Sequence, residues 1–437
     1  MALLRITGGR PLRGEVAVGG SKNAALPIMA ASILASEPVE LLGVPRLTDV
    51  AVLGRLLTQL GLGVDRVGKS LHIETVDPCR SVAEFRLLRL MRAGFCVLGP
   101  LLARRGAARV ALPGGCNLGD RPVDLHLRGL AALGADLKIE HGYVVASARR
   151  LVGARIDLSG PRGPTVTGTA NVLCAAALAQ GRTVILGAAR EPEIVALGEF
   201  LNTLGAQIDG LGSDALEIRG VEQLGGGAYR VIPDRIEAAT LLIAAAITGG
   251  AVGVTGVNPG HLRSVLQILS ETGARIELNG PKITLAGCAR PRPVEFSARP
   301  YPGVPSDVQS QLMALLTLAP GRSIVRDEVF PERFQNVAEL NRLGATIRRQ
   351  PGRATVFGVD HLTGADVVAC DLRSAAALVL AGLAAEGQTT IHRIEHLDRG
   401  YDRLEAKLRR LGAAIERVGE KARVPRRRTA TRPARAA

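Results

Sequence analysis

The 437-residue sequence contains no tryptophan and only four tyrosines and seven phenylalanines. Proteins that bind single-stranded nucleic acid without sequence preference stack the bases on aromatic side chains, so this scarcity argues against that class. The net charge of +15 would otherwise favour it. Much of that charge lies in the C-terminal KARVPRRRTATRPARAA, which has no acidic residue. We expect a basic, disordered tail over residues 419–437 and keep a basic nucleic-acid-binding repeat protein as an alternative function.

Paired cysteines and long apolar runs are also absent. The six cysteines form no C-x-x-C pair, a pattern that suits a reducing compartment and gives no zinc-ligand spacing. The N-terminus has arginines where a signal peptide needs an apolar stretch, and no segment has the roughly 18 uninterrupted apolar residues of a spanning helix. We therefore expect a cytoplasmic protein with no membrane and no metal site.

The sequence does contain an internal repeat of six segments, such as LAALGADLKIEHGYVVAS, in which an amphipathic helix ends in glycine and two short strands follow. A glycine at this point can stop a helix because it adopts positive φ at little cost. These glycines recur about every 70 residues. They are Gly61, Gly134, Gly205, Gly273, Gly344 and Gly412.

Nearly all-apolar helices rich in small residues, such as EAATLLIAAAI, lie between these segments. A helix that is apolar all round and too short for a membrane is expected to be buried. Each is followed by a glycine turn and a β-rich run, so the predicted unit is β-α-β-α-β-β. Six units favour an α/β protein of two three-unit domains, each with buried helices surrounded by sheets and outer helices, and a ligand between them.

Two of the apolar helices open on polar residues that could act on a ligand. In SKNAALP, Lys22 and Asn23 precede one helix, where a cation beside free backbone N–H groups would hold an anion. A simply solvated lysine is the alternative. In YPGVPSDVQSQ, Asp307 opens another, as either a helix N-cap or a general base.

The stretch PGGCNLGDRPVDLH places Cys116 on an irregular, glycine-rich loop. The neighbouring Arg121 would favour a thiolate, because adjacent cations lower the pKa of a thiol. An inert turn cysteine remains the alternative.

Three arginines recur at turns in the second half of the chain, at Arg333, Arg373 and Arg399. A guanidinium group at the start of a buried helix must find a partner or solvent. Several such groups in one cleft would clamp a phosphate or a carboxylate. The alternative is that each forms a local ion pair, for instance with Asp371 or Asp398.

Ten motifs now identify a resemblance that covers all but the tail. They are SKNAALP, MRAG, PGGCNLGDRPVDLH, TVTGTAN, AAREPEIV, YRVIPDRIEAAT, YPGVPSDVQSQ, VFPERF, DLRSAAALVLAG and HLDRGY. In this order they closely resemble the UDP-N-acetylglucosamine 1-carboxyvinyltransferase family of enolpyruvyl transferases. The resemblance implies an inside-out α/β barrel of two domains with three repeats each. The first domain would comprise residues 1–21 and 231–418, the second residues 22–230, with crossings near residues 21–23 and 229–234.

The family transfers the enolpyruvyl group of phosphoenolpyruvate to the 3-hydroxyl of UDP-N-acetylglucosamine and releases phosphate, the first committed step of peptidoglycan precursor synthesis. The resemblance implies these two small-molecule substrates and no cofactor. Desolvating phosphoenolpyruvate, which carries a carboxylate and a phosphate, is costly unless cations receive it. Addition of the sugar hydroxyl requires an acid and a base, and the tetrahedral intermediate then expels phosphate.

The resemblance also implies the roles of individual residues. The catalytic residues would be Cys116 as general acid, Asp307 as base, and Lys22 and Arg399. Phosphoenolpyruvate would contact Lys22, Asn23, Arg121, Arg373 and Arg399. UDP-N-acetylglucosamine would contact Arg92, Arg121, Pro122, Val123, Asp124, Leu125, Thr165, Val166, Thr167, Asp307 and Val329. Supporting or hinge residues would be Glu191, Glu193, Asp234 and Arg333.

Two positions depart from the family pattern, since Gly94 stands for a serine and Ala170 for a frequent glutamate. The cysteine is retained, so we expect fosfomycin to alkylate Cys116, and the glycine-rich loop around it to act as a lid. Another acceptor, either a different uridine nucleotide or shikimate 3-phosphate, remains the alternative substrate. The shikimate enzyme would not explain the cysteine loop.

Overall fold

The structure is a computed structural model that describes residues 2–113 and 123–419. Its α-helices are α1 (Lys22–Ala31), α2 (Thr48–Gln59), α3 (Phe85–Leu88), α4 (Leu98–Arg105), α5 (Asp124–Ala132), α6 (Val166–Ala176), α7 (Pro192–Thr203), α8 (Arg235–Ile247), α9 (Arg263–Glu271), α10 (Ser306–Leu316), α11 (Val337–Arg342), α12 (Leu372–Ala384) and α13 (Leu404–Arg410). Short 3-10 helices cover Ser32–Leu34, Arg92–Val97, Pro259–Leu262 and Ile394–Arg399.

The strands of the first half are β1 (Leu3–Thr7), β2 (Arg13–Ala17), β3 (Val39–Leu42), β4 (Leu62–Val67), β5 (Ser70–Thr75), β6 (Val82–Ala83), β7 (Ala107–Ala111), β8 (Asp136–Glu140), β9 (Tyr143–Ser147), β10 (Arg155–Asp157), β11 (Ser159–Gly160), β12 (Gly163–Pro164), β13 (Arg182–Leu186), β14 (Gln207–Asp209), β15 (Ala215–Arg219) and β16 (Gly227–Arg230). Those of the second half are β17 (Ala251–Thr255), β18 (Arg275–Asn279), β19 (Lys282–Ala286), β20 (Glu295–Ala298), β21 (Arg322–Asp327), β22 (Thr346–Gln350), β23 (Arg353–Phe357), β24 (Asp366–Val368), β25 (Gln388–His392) and β26 (Ala414–Val418).

Six four-stranded sheets share one pattern of strand pairing. In the sheet ordered β10-β13-β15-β14, the first two strands are parallel and the later pairings are antiparallel. Helix α6 connects β10 to β13, and α7 connects β13 to β14, so the unit reads β-α-β-α-β-β. The predicted repeat is therefore confirmed.

Three units are completed by strands from distant parts of the chain. The N-terminal β1 lies between β25 and β26 and is antiparallel to both. The next strand, β2, is parallel to β17, and β16 is parallel to β3. The chain therefore leaves its first group of units after β2 and re-enters it after β16.

The buried residues form two hydrophobic cores. One extends from Ala24 to Val231 and the other combines Leu4 to Val16 with Ile236 to Ile415. The central helices are buried on every side as expected, and all residues of α8 are buried. The domain bounds 1–21 with 231–418 and 22–230 stay a prediction. Most of the expected tail, residues 420–437, lies outside the described residues.

Within the described residues, no helix combines the length and apolarity that a bilayer crossing requires.

All six repeat glycines have positive φ, between 84° at Gly61 and 103° at Gly205. Each stands shortly after the last helical residue, as after α5, which ends at Ala132. A left-handed residue there ends the helix and lets the following strand begin. The sequence pattern thus identified these positions for the correct backbone reason.

Substituting Gly134→Ala should destabilise the fold by about 1 kcal/mol, because an L-residue resists positive φ. No atom lies within 4 Å of the added Cβ at Gly134, so strain and not a clash would cause the loss. The matched control is Gly54→Ala inside α2, where Cβ would meet Val64 at an ordinary 3.6 Å. That variant should gain up to about 1 kcal/mol. Urea unfolding measures both, and equal effects would contradict the backbone explanation.

Candidate active site

Two chain segments join the cores and run side by side. Gly20 and Pro233 form an antiparallel bridge, the amide of Ser21 donates to the Ile232 carbonyl at 2.7 Å, and that of Asp234 donates to the Gly19 carbonyl at 2.9 Å. They lie where the resemblance predicts the crossings between the domains, whose bounds stay a prediction. Since they also lead into α1 and α8, the first turns of these helices meet at the junction between the cores.

Lys22 is the first residue of α1, and its amide donates to the Asp234 carboxylate at 3.2 Å. Its ammonium pairs with Asp49 Oδ2 at 2.8 Å, while Arg399 Nε donates to Asp49 Oδ1 at 2.9 Å. The Asp49 side chain is only 4% exposed. One buried carboxylate of the first core therefore binds a cation from each core.

Burial and neighbouring charges together set the ionisation of Lys22 and Asp49. It lowers the pKa of Lys22, an effect that Asp49 opposes and that the positive charges of Arg373 and Arg399 add to. Burial would raise the pKa of Asp49, but Lys22 and Arg399 outweigh it and leave that pKa lowered. Asp49 is thus held as a carboxylate, while burial, helped by the charges of Arg373 and Arg399, makes Lys22 readier to lose its proton than an exposed lysine.

Asp307 is the centre of a second group. It lies in the first turn of α10 and pairs with Arg373 at 2.8 Å and with Arg333 at 2.9 Å. The Asn23 amide donates to the same carboxylate at 3.2 Å. Burial would raise the pKa of Asp307, but Arg373 and Arg333 hold it well below its usual value. The position before α10 belongs to Pro305, so the N-cap alternative for Asp307 is wrong.

Arg373 lies in the first turn of α12, and its side chain is only 6% exposed. Besides Asp307 it contacts Tyr401, whose hydroxyl accepts from the guanidinium at 3.3 Å. Burial would lower the pKa of Arg373, but Asp307 and Tyr401 outweigh it and raise it. Gln311 donates to the same hydroxyl at 3.2 Å and supports the ring.

The expectation that Arg373 and Arg399 merely form local ion pairs is wrong. The Asp371 carboxylate accepts from the backbone amides of Arg373 and Ser374 at the start of α12. The Asp398 carboxylate pairs with Arg417 at 2.6 Å. Both guanidinium groups instead bind carboxylates far away in the sequence, since their partners are Asp307 and Asp49.

The structure thus brings together seven of the expected residues. They are Lys22, Asn23, Asp307, Arg373 and Arg399, with the expected supporting residues Asp234 and Arg333. Cys116, Arg121 and Pro122 lie outside the described residues. Within residues 2–113 and 123–419, no group of three or more His, Cys, Asp or Glu side chains is arranged to hold a metal ion.

Most of the residues expected to bind the nucleotide fall into two places, one on each core. Thr165 caps α6, so Val166 and Thr167 form its first turn, while Val123 precedes α5 and Asp124 and Leu125 open it. Val329 lies on the other core, where its amide donates to Asp327 at 3.0 Å. Asp327 also accepts from Ser306, the residue before Asp307. Val329 therefore adjoins the Asp307 group.

A buried network connects the first turns of α5 and α6. His126 Nε2 contacts the Thr167 hydroxyl at 3.2 Å, and its Nδ1 contacts the Asn171 amide at 2.9 Å. Asn171 also donates to the Phe95 carbonyl and accepts from the Gly99 amide. Burial, together with the charge of Arg92, lowers the pKa of His126 to about 3. The histidine is therefore neutral and fixes these two turns against each other.

A second pairing bridges the cores close to the crossings. Arg235 donates both Nε and Nη2 to Glu193, at 2.9 and 3.1 Å, and both side chains are buried. The Tyr301 amide donates to Glu191 at 3.3 Å. Of the expected hinge residues, Glu191 and Glu193 thus contact the opposite core, whereas Arg333 contacts Asp307 of its own core.

Sequence reasoning missed Asp49, Tyr401, His126 and Asn171. Asp49 belongs to an ordinary amphipathic helix, and the other three lie in motifs that were quoted only as parts of longer matches. The one indication that the sequence offers is a polar residue within an apolar stretch, because such a residue is expected to be buried and then needs a partner. Asn171, in the apolar helix that contains NVLCAAALA, could have been found in this way.

The family model for EPSP synthase (3-phosphoshikimate 1-carboxyvinyltransferase) matches residues 6–408. A UDP-N-acetylglucosamine 1-carboxyvinyltransferase from Geobacter metallireducens is 48% identical over 420 residues, which is 96% of this chain and all of that protein. The protein of the same name from Akkermansia muciniphila is 47% identical over 421 residues, 96% of this chain and 99% of that one.

Solved structures show the same fold. The enolpyruvyl transferase NikO from Streptomyces tendae superimposes with a TM-score of 0.85 at 29% identity, over 95% of this chain and 98% of that one. EPSP synthase from Acinetobacter baumannii superimposes with a TM-score of 0.73 at 19% identity, over 96% and 100%. The predicted two-domain α/β architecture is therefore confirmed.

The buried histidine predicts a specific pH dependence of stability. Unfolding restores the ordinary pKa of 6.5 to His126, so the unfolded state binds the extra proton below that pH and stability falls with acidification. Between pH 7 and pH 5 the wild type should lose about 2 kcal/mol more than His126→Gln. Urea unfolding at both pH values measures this. The control His361→Gln, on an exposed side chain, should follow the wild type; identical losses in all three proteins would refute a buried neutral histidine.

Proposed function

The chain belongs to the EPSP synthase (3-phosphoshikimate 1-carboxyvinyltransferase) family, and we infer that it is an enolpyruvyl transferase that moves the enolpyruvyl group of phosphoenolpyruvate onto the 3-hydroxyl of UDP-N-acetylglucosamine and releases phosphate. One observation supports UDP-N-acetylglucosamine as the acceptor: relatives named UDP-N-acetylglucosamine 1-carboxyvinyltransferase are 47 to 48% identical over 96% of the chain. The step belongs to peptidoglycan precursor synthesis. We propose that it takes place in the cytoplasm.

We propose that the cations at the junction receive phosphoenolpyruvate. Lys22, Arg373 and Arg399 are presented by three separate elements, and two carboxylates hold them in place. A buried cation that is already desolvated can bind an anion with little further desolvation. Arg121, which lies outside the described residues, is expected to join them. Together these charges support binding of both the carboxylate and the phosphate of the donor.

The same contacts support Asp307 as the residue that anchors the sugar hydroxyl and removes its proton. Its low pKa in this structure is due to Arg373 and Arg333. A substrate anion that binds Arg373 would take charge away from Asp307 and raise its pKa. The base would therefore become stronger once the donor is bound. Cys116 is proposed as the acid that protonates the enolpyruvyl carbon.

The His126 network supports a rigid nucleotide subsite. Thr167 and Asp124 are expected to contact the nucleotide, and His126 lies on α5 between the helix start and the Thr167 hydroxyl. Because the first turns of α5 and α6 are joined by buried hydrogen bonds, the groups that meet the uracil and ribose would be fixed before binding. Arg92 would add a positive charge near the first turn of α5, where its charge acts on His126.

The reaction is tested by phosphate release from phosphoenolpyruvate with different acceptors. We expect turnover with UDP-N-acetylglucosamine and at least a hundredfold lower kcat/KM with shikimate 3-phosphate. UDP-glucose, which has no N-acetyl group, serves as the nucleotide control. Faster turnover with shikimate 3-phosphate, or equal turnover with UDP-glucose, would reject the proposed acceptor.

Asp307→Asn should lower kcat by about a hundredfold or more, because general-base catalysis contributes roughly 10²–10⁴-fold. The amide can keep a hydrogen bond to Arg373, and circular dichroism should show an intact fold. Asp360→Asn is the control, since Asp360 forms an exposed pair with Arg290. The control should retain turnover within twofold. A fall of less than tenfold in Asp307→Asn would remove the base role.

A further inference from the structure

A groove separate from the candidate active site lies between α2 and the β4–β5 hairpin; we call it the α2 groove. Its volume is about 540 Å³, and its apolar lining includes Ala51, Val64 and Leu71. Pockets for small ligands occupy roughly 300–1,000 Å³, so the groove has room for one. Gly54 widens it in the middle of α2, where a longer side chain would point toward Val64.

Three arginines line the same groove, Arg46, Arg55 and Arg66. Arg46 donates through Nη2 to the Gly68 carbonyl at 3.1 Å. Arg66 donates to the Val44 and Pro45 carbonyls, at 2.9 and 3.3 Å. Neutral backbone oxygens orient these two guanidinium groups without cancelling their charge, and each group keeps further N–H donors.

The three arginines of the groove carry more positive charge than the nearby Asp402 carboxylate can balance. Among residues 2–113 and 123–419, Arg46, Arg55 and Arg66 form no ion pair within 4 Å of a carboxylate, and Asp402 accepts from the backbone amide of Arg46 at 3.4 Å. Burial lowers the pKa of Arg66 and the neighbouring Arg46 lowers it further, while the charge of Asp402 opposes both effects. A cluster of oriented cations that repel each other is stabilised by an anion from outside.

We propose that the α2 groove binds a small phosphate monoester that carries an apolar group. The guanidinium groups would hold the dianionic phosphate, since arginine matches the geometry of phosphate oxygens. The apolar lining would bury the rest of the ligand. The first turn of α2 carries Asp49, so an occupant of this groove contacts the helix that positions the carboxylate between Lys22 and Arg399. This site is additional to the proposed catalytic one.

The absence of tryptophan allows a specific reporter for this site. Thr58 is exposed on α2 and lines the groove, so Thr58→Trp places the single indole of the protein there. Titration with phenyl phosphate should give a saturable change in fluorescence. Phosphate bound at the active site would not report through this indole. Phenol should give no saturable change, and inorganic phosphate should bind at least fivefold more weakly than phenyl phosphate.

The charge requirement is tested in the same background with Arg46→Gln/Arg55→Gln. Arg66 is kept because it supports the backbone carbonyls before α2. The dissociation constant for phenyl phosphate should rise at least tenfold. The control Arg149→Gln/Arg150→Gln removes the same charge from an exposed turn that does not line the groove, and should stay within twofold.

A tryptophan at position 58 that filled the groove would prevent the binding that it is meant to report. Binding of labelled phenyl phosphate is therefore also measured by equilibrium dialysis with the protein that retains Thr58. The double variant Arg46→Gln/Arg55→Gln should bind one equivalent fewer than the wild type. Equal stoichiometry in the two proteins, or equal weakening in the Arg149/Arg150 control, would overturn the proposal. So would binding of phenol as tight as that of phenyl phosphate. All three measurements use binding alone, so their outcome is independent of whether the chain turns over its proposed substrates.

Discussion

Two carboxylates at the junction of the cores hold the rest of the site in place. Asp49 binds Lys22 and Arg399, while Asp307 binds Asn23, Arg333 and Arg373. Lys22 and Asn23 are consecutive in α1, so the two groups share one helical turn. Four cations meet these two carboxylates, and a third carboxylate, Asp234, also attracts Arg373. Buried charges are tolerated only when they are paired, so an anionic ligand that takes the place of one of these carboxylates keeps the cations paired.

The repeat explains why these residues meet. Lys22 opens α1, Asp234 caps α8, Asp307 lies in the first turn of α10, and Arg373 in the first turn of α12. Each of these helices follows the first strand of a repeat unit or a crossing, so equivalent positions of different units converge. The N-terminal ends of helices carry partial positive charge and free N–H groups. Repetition of one unit thus brings several helix N-termini together. Side chains in the first turns of these helices form the candidate site.

Much of this could be predicted from sequence because it depends on local rules. The glycine spacing identified the unit, and the apolar helices identified the cores. The first-turn residues Lys22, Asp307 and Arg373 were found because a polar residue that opens an apolar helix is conspicuous. What could not be found was the choice of partner. Arg399 has an aspartate next to it in sequence, yet its guanidinium binds Asp49, 350 residues away. Such contacts depend on β1 and β16, which pair with strands from distant parts of the chain. No local sequence pattern indicates this pairing.

The pairs at the junction connect substrate binding to the arrangement of the two cores. Asp49 with Arg399, Asn23 with Asp307, and Glu193 with Arg235 each join residues of different cores. A substrate whose phosphate or carboxylate bound Arg399 would compete with Asp49 for that charge, so it would weaken one link while its own contacts replaced it. Arg235 lies close enough to Asp307 for the two charges to interact, and its two hydrogen bonds to Glu193 provide a further link between the cores. The residues that would neutralise the substrate therefore also hold the two cores against each other. Substrate binding and the arrangement of the cores would each affect the other.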